Sequence, residues 1–328
     1  MRMADTQTGG PELTVVIPAF NEQENIVPMY ERLVQSVDQV VDGLEILYVD
    51  DGSSDSTWSA ISELAATDRR VRGLSFARNF GHQAALTAGV DAAHGRAVVI
   101  IDADLQDPPE LIPEMVAKWR EGFEVVYGQR EDREGETWFK RVTAAVYYRV
   151  LQSITNIRIP LDTGDFRLMG TRAVAAFRAL PERNRFIRGL VTWIGFRQTA
   201  VSYHRQARHA GETKYPFRKM FKFALDGITS FSFLPLRLGA LVGFAVSLLS
   251  FLYIVVVIVL KFLGMNLPGY TSMMASILFL GGLQLVMIGI LGEYLARIFD
   301  EVKRRPLYII GDSTDPDTQV IPPVRPHS

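Results

Sequence analysis

The sequence predicts an α/β fold, a mostly parallel sheet with helices on both faces, followed by two helices that cross a membrane. Three observations carry that reading. Short β-branched runs alternate with helical stretches through the first part of the chain, the rhythm of βαβ units. Three of those runs end in acidic or polar clusters, Asn21-Glu22, Asp50-Asp51, and Asp102 with Asp104, which puts a ligand crevice along one edge of one sheet. Leu238–Leu260 and Phe262–Gly292 carry no charged residue, and each exceeds the roughly 20 apolar residues that a span needs.

Composition excludes several classes. The formal charge of −1 over 328 residues supplies no field for nucleic acid. With no cysteine there are no disulfides, thiolate metal sites or cysteine nucleophile, which fits a reducing compartment. The N-terminal MRMADTQTGGPE lacks the apolar core of a signal peptide, so no cleaved leader is expected.

Leu13–Phe20, LTVVIPAF, is the first strand, closing around Pro18. Asn21 is the expected N-cap of the helix that follows, with acids in its first turn. Leu44–Val49 is the second strand, and the turn Asp50-Asp51-Gly52-Ser53-Ser54-Asp55-Ser56-Thr57 leads into another helix. Val71–Phe76 is a short third strand, and Arg78-Asn79-Phe80-Gly81-His82-Gln83 opens a helix through about Ala93. Val125–Gly128 is a further strand, followed by Gln129-Arg130. Neither GxGxxG after a strand nor GxxxxGK[ST] is present, which argues against a dinucleotide fold and a P-loop.

The stretch Val98–Asp107, VVIIDADLQD, is central. Its apolar start reads as a strand buried on both faces, and it ends in Asp102, Asp104 and Asp107. Two carboxylates at i and i+2 converge once the chain bends, and oxygen-only ligands suit a hard cation such as Mg²⁺ or Mn²⁺ that also bridges phosphates. An acidic loop capping the next helix is the other reading. It suits Asp107, because Pro108 and Pro109 favour a first helical turn.

VVIPAFNE, VDDGSSDST, RNFGHQAAL and DADLQDPP, in this order and spacing, resemble the inverting glycosyltransferases of family 2, which have the GT-A fold. Within that family the chain is most similar to the bacterial polyprenyl-phosphate glycosyltransferases, relatives of dolichyl-phosphate mannose synthase, from about Leu13 to about Arg305. The resemblance implies a nucleotide pocket on Pro18, Phe20, Glu22, Asp51, Arg78 and Asp102, with Asp50 beside it. It also implies a metal site on Asp102, Asp104 and Gln106; Gln106 rests on the resemblance alone. Arg130, just past a parallel strand, suits phosphate oxygens as a guanidinium fork, and the family places an arginine there on the lipid phosphate. Arg141 is a further candidate from the same basic cluster, and Asp165 matches an acid that the family sets near the acceptor. Between His204 and Tyr215, the resemblance makes Arg208 and Lys214 phosphate-binding candidates; His204 and His209 do not share a helix face, so zinc is not expected. Attraction of this basic loop to anionic lipid is a second reading.

The domain plan is a flexible N-terminus (1–12), a catalytic domain (13–215), an interfacial amphipathic helix (216–235), two spans within 236–296 (about 238–262 and 272–295) and a C-terminal tail (297–328) read as disordered at its end. Lys and Arg cluster before the first span and after the second, so the positive-inside rule puts both termini and the catalytic domain in the cytoplasm, on the inner membrane. The expected activity is single transfer of a sugar, best matched by UDP-glucose, to undecaprenyl or another polyprenyl phosphate. Asp104, Arg130 and Asp165 are the catalytic candidates. UDP-4-amino-arabinose, UDP-N-acetylhexosamine and GDP-mannose are alternative donors, and a non-catalytic protein binding lipid phosphate and nucleotide-sugar is the alternative of another class. The QxxRW of processive relatives is absent, so one transfer per acceptor is expected, and the resemblance implies a homo-oligomer, a tetramer.

Overall fold

The structure, a computed structural model, describes residues 10–130, 163–183, 185–203, 234–263 and 269–318. Among these, residues up to 203 and from 306 onward form one compact unit, and 234–263 with 269–305 form another.

The first unit runs β1 (Leu13–Ala19), α1 (Gln23–Val37), β2 (Leu44–Asp50), α2 (Thr57–Thr67), β3 (Val71–Phe76), α3 (His82–Ala92) and β4 (Ala97–Ile100). A 3₁₀ turn (Pro109–Leu111), α4 (Ile112–Arg120), β5 (Val125–Arg130), β6 (Thr163–Gly170), α5 (Thr171–Ala179), α6 (Ile187–Trp193) and β7 (Gln198–Tyr203) follow, and β8 (Ile310–Ser313) comes late in the chain. They form one sheet in the order β7-β5-β6-β4-β1-β2-β3-β8.

The expected βαβ units are present. β1 pairs in parallel with β2 and β4, and β2 with β3, so the ends of these strands gather at one edge. β1 and β2 are buried along their whole length because helices cover both faces. Val15 and Ile17 belong to the core that also holds Ile26, Met29 and Leu33 of α1, Ile61 of α2 and Met115 of α4. Each such side chain contributes about 1.5–3 kcal/mol on burial. Val16 faces α3, which approaches so closely at Gly89 that a Cβ there would stand 2.1 Å from Val16 Cγ1.

Three strands were not read from the sequence: β7, which pairs in parallel with β5, and β6 and β8. β6 enters antiparallel between β4 and β5, where the sequence indicated only a polar cluster. β8 pairs antiparallel with the edge of β3 in the C-terminal tail, whose last residues read as disordered. The gain for so short a strand is chiefly that of pairing an open edge, which composition does not record. Arg72 Nη2 and Asp315 Oδ2, 2.7 Å apart, hold its far end. Residues 319–328, 1–9 and 216–233, the last being most of the expected interfacial helix, lie outside the described residues.

The second unit holds α7 (Leu234–Phe262) and α8 (Tyr270–Lys303). Leu238–Leu260 and Ser272–Lys303 are long and apolar enough to cross a membrane, with mean hydropathies of 2.8 and 2.2. α8 continues past the expected end at 295. A Cβ at Gly239 of α7 would stand 2.3 Å from Met287 Cε of α8, so a small residue lets the two helices approach. Large apolar side chains such as Leu241, Phe244 and Leu285 are outward and exposed, a surface suited to hydrocarbon rather than water.

Candidate active site

At the ends of β1, β2 and β3 three turns knit together. Ala19 pairs with Asp50, so Phe20-Asn21-Glu22 lies beside Asp51-Gly52-Ser53. The Asn21 amide donates to Ser53 Oγ and the Ser54 amide to Asn21 Oδ1, both at 2.9 Å. Asn21 has φ 55 and ties two turns; the N-cap position of α1 belongs to Glu22, without a side-chain cap, which corrects the expected cap. Glu22 accepts from Asn25 Nδ2, and its amide donates to Thr57 Oγ1.

Asp50 is buried and accepts from the Ser53 amide at 3.0 Å and the Ser75 hydroxyl at 2.7 Å. Asp51, also buried, accepts from the amides of Phe80 (2.7 Å) and Gly81 (2.9 Å). Burial raises its pKa, more than those amides lower it. Gly52, at φ +69, is forced: a Cβ would lie 2.5 Å from the Arg78 carbonyl carbon. Arg78 is exposed with its guanidinium 4.3 Å over the Phe80 ring. Phe20 is exposed at the crevice mouth and Pro18 is buried within β1.

Beyond β4 the chain turns through Leu105 at φ 58, and the Gln106 amide donates to Asp104 Oδ1 at 3.2 Å. Gln106 is buried. Asp102 Oδ1 is buried without a hydrogen-bond partner among the described residues. Burial pushes the Asp102 carboxyl up to about 6, aided by the charges of Asp165, Asp107 and Asp104 and opposed by His82. An orphaned carboxylate oxygen among further acids fits a divalent cation. Among the described residues no group of three His, Asp or Glu is arranged to hold a metal ion by itself, so the fit is to a cation that completes its shell from water and phosphate.

The antiparallel entry of β6 brings Asp165 to this edge. Ile100 pairs with Arg167, so stepping two residues forward on β4 and two back on β6 sets Asp165 near Asp102. Arg188 of α6 forks onto Asp165, Nε to Oδ1 at 2.9 Å and Nη2 to Oδ2 at 3.2 Å. Burial would raise this carboxyl, but Arg188, His82 and Arg167 outweigh it and hold it far below the usual carboxylate range. Arg167 is buried, donates to the carbonyls of Gly164 and Asp165, and is lowered to about 10 by burial. His82, first residue of α3, reaches both acids: its Nε2 lies 3.4 Å from Asp165 Oδ2 and 3.5 Å from Asp102 Oδ1. Burial lowers its pKa, but the two acids prevail and the net shift is upward.

Arg130 ends β5 with its guanidinium already oriented. Its Nε donates to Tyr203 Oη at 3.1 Å, and its Nη2 lies 3.4 Å from Asp107 Oδ1. Tyr203 donates to the same Asp107 oxygen. Asp107 is therefore not the helix cap expected; the 3₁₀ turn is preceded by Pro108 with no side-chain cap, and the buried Asp107 anchors Arg130 and Tyr203 instead. Arg141, Arg208 and Lys214 lie outside the described residues.

His82, Arg188 and Tyr203 had no role in the sequence reading. His82 had a usable signal, standing in RNFGHQAAL past a parallel strand on the ligand edge. Arg188 and Tyr203 had none, because their partners lie far away in the chain.

Comparison with known proteins supplies the remaining findings. Residues 14–177 match the family described as Glycosyl transferase family 2, and residues 234–298 match the GtrB C-terminal hairpin. The uncharacterized glycosyltransferase YkcC of Bacillus subtilis (strain 168) is 50% identical over 303 residues, 92% of this chain and 94% of that protein. The SfII prophage-derived bactoprenol glucosyl transferase of Shigella flexneri is 44% identical over 304 residues, 92% and 98% of the two chains. Glucosyl-3-phosphoglycerate synthase from Mycobacterium tuberculosis, solved with Mn²⁺, uridine diphosphate and glucosyl-3-phosphoglycerate, aligns with a TM-score of 0.45 at 23% identity, covering 67% of this chain and 78% of that one.

Proposed function

The chain belongs to glycosyltransferase family 2, and from that premise we propose that it transfers one glucose from UDP-glucose to undecaprenyl phosphate with inversion. The observation that carries the chemistry is the pairing, at one sheet edge, of Asp102, with its orphaned oxygen, and Asp165, clamped by Arg188. The bactoprenol glucosyl transferases that cover nearly the whole chain support the acceptor and the sugar.

Asp102 and Asp104, with Gln106 beside them, would hold Mg²⁺ or Mn²⁺. Such a cation would neutralise charge on the diphosphate of the departing UDP. Pro18, Phe20, Glu22, Asp51 and Arg78 line the nucleotide end, where Asp50 and Asp51 also fix the turns. Arg130 meets the acceptor phosphate with Arg141, Arg208 and Lys214. A phosphate monoester has its second pKa near 6, so the acceptor is largely ionised at neutral pH and attacks without an obligatory base. The work left to the chain is to hold two anions together against their repulsion. The apolar hairpin keeps the enzyme where its lipid substrate lies, with both termini cytoplasmic.

The test is full-length protein in nanodiscs with undecaprenyl phosphate, offered UDP-glucose, UDP-4-amino-arabinose, UDP-N-acetylglucosamine or GDP-mannose in turn, with the lipid read by mass spectrometry. Glucosyl lipid from UDP-glucose is expected. Another sugar on the lipid would correct the donor, and nucleotide binding with no sugar-lipid from any donor would favour a binding protein.

Arg130→Ala is expected to raise the acceptor KM about tenfold to a hundredfold, the worth of a charge-assisted hydrogen bond, while leaving the donor KM unchanged. Steady-state kinetics with each substrate varied in turn checks it; equal effects on both would misplace Arg130. In sealed inside-out vesicles, tags at either terminus are expected to be open to protease and a tag beside Pro268 protected, and the reverse pattern would overturn the orientation.

A further inference from the structure

We propose that Tyr308, on the segment that follows α8, is a positioning residue for the nucleotide end of the crevice; this rests on the donor reading above. The Tyr308 ring stacks on Phe76, with centroids 5.2 Å apart and planes at 11°. Phe76 meets Phe80 edge-on at 5.7 Å. The amides of Phe80 and Gly81 in turn hold the Asp51 carboxylate. The Tyr308 hydroxyl donates to Asp91 Oδ2 at 3.3 Å, on the helix whose first residue is His82. One side chain therefore braces the loop that meets Asp51 and the helix that carries His82.

The backbone around it is fixed independently. The Ala77 amide donates to the Ile309 carbonyl at 3.0 Å. Ser75 pairs with Asp312 on one side, and its hydroxyl reaches Asp50 on the other. At the far end the Gly73 amide donates to Thr314 Oγ1 at 2.8 Å, and Arg72 pairs with Asp315. Residues 306–318 thus form a strap along β3 with two separable ends: Tyr308 beside the loop at 77–81, and Asp315 remote from it.

Full-length wild type, Tyr308→Ala, Tyr308→Phe and Asp315→Ala are compared by UDP titration, by kinetics with each substrate varied, by melting and by hydrogen exchange without nucleotide. Tyr308→Ala is expected to weaken UDP about three- to tenfold, the range of a lost aromatic pair, and to raise the donor KM alike with kcat and acceptor KM unchanged. The Phe80 and Gly81 amides are expected to exchange faster in that variant only. Tyr308→Phe keeps the stack on Phe76 and with it wild-type UDP affinity and wild-type exchange at Phe80 and Gly81, losing only the bond to Asp91; Asp315→Ala lowers the melting temperature and leaves UDP affinity alone. Wild-type UDP affinity and wild-type exchange in Tyr308→Ala overturn the inference, as does a fall in kcat with no KM change. If wild type binds no uridine nucleotide, the donor reading fails, and exchange at Phe80 and Gly81 alone decides the role of Tyr308.

Discussion

Asp104→Ala is expected to lower kcat by about a hundredfold to a thousandfold, the cost of removing a preorganised electrostatic contact from a transition state. The scaffold should stay intact, because Asp104 lies in the turn after β4 and is only half-buried. Asp102→Asn should match it in activity, as Asp102 carries the orphaned oxygen. A readout apart from turnover is melting of the nucleotide-free protein with Mn²⁺. At about a hundred times its dissociation constant a cation adds about 2.7 kcal/mol, or roughly 5–10 °C for a domain of this size. Wild type is expected to show that rise and both variants to lose it. Near-normal turnover of Asp104→Ala under metal titration would remove the cation from this end of the sheet.

Asp165→Ala carries the second large effect, on stability as well as rate. Removing one partner from a buried ion pair costs about 3–5 kcal/mol because the other charge stays behind. Here the buried Arg167 and the partly buried Arg188 are left facing each other. The folded carboxyl sits below its unfolded value of 3.8, so the stabilisation is complete above that pH and lost only as pH falls further toward the folded value. Neutral assays lie on the flat part. A group so acidic is a poor proton acceptor. Asp165→Asn is therefore expected to lose activity mainly through the acceptor KM, by the same factor across the neutral range, and Arg188→Ala to resemble it. The double variant should lose less than the product of the two. Collapse of kcat in Asp165→Asn, with Arg188→Ala near normal, would mark Asp165 as a base.

What was legible in the sequence was what depends on neighbours along the chain. Alternating buried strands and helices gave β1 to β4, and the strand-end acids marked the ligand edge. The apolar runs gave α7 and α8. What depends on distant partners was not legible. The helix-capping roles read for Asn21 and Asp107 rest on local propensity, and tertiary hydrogen bonds to Ser54 and Tyr203 claimed those side chains instead. β6 was hidden because Thr163-Gly164-Asp165 reads as a turn until β4 and β5 flank it. β8 was hidden because its only template is the open edge of β3. Asp165 was found by resemblance, whereas its clamp by Arg188 needed the register of β6.

The antiparallel insertion of β6 has a bearing on how such a protein diversifies. β5 runs toward the ligand edge and ends at Arg130, and β6 sets out from that same edge at Thr163, so the intervening excursion departs and lands on one side of the sheet. β7 runs alongside β5 and delivers the chain to that edge again at Tyr203. The ends of the chain at Arg130, Thr163 and Tyr203 therefore share one rim of the sheet. A designer changing what joins these three ends would be working apart from the residues that pair β4 with β6 and β5 with β6 and β7.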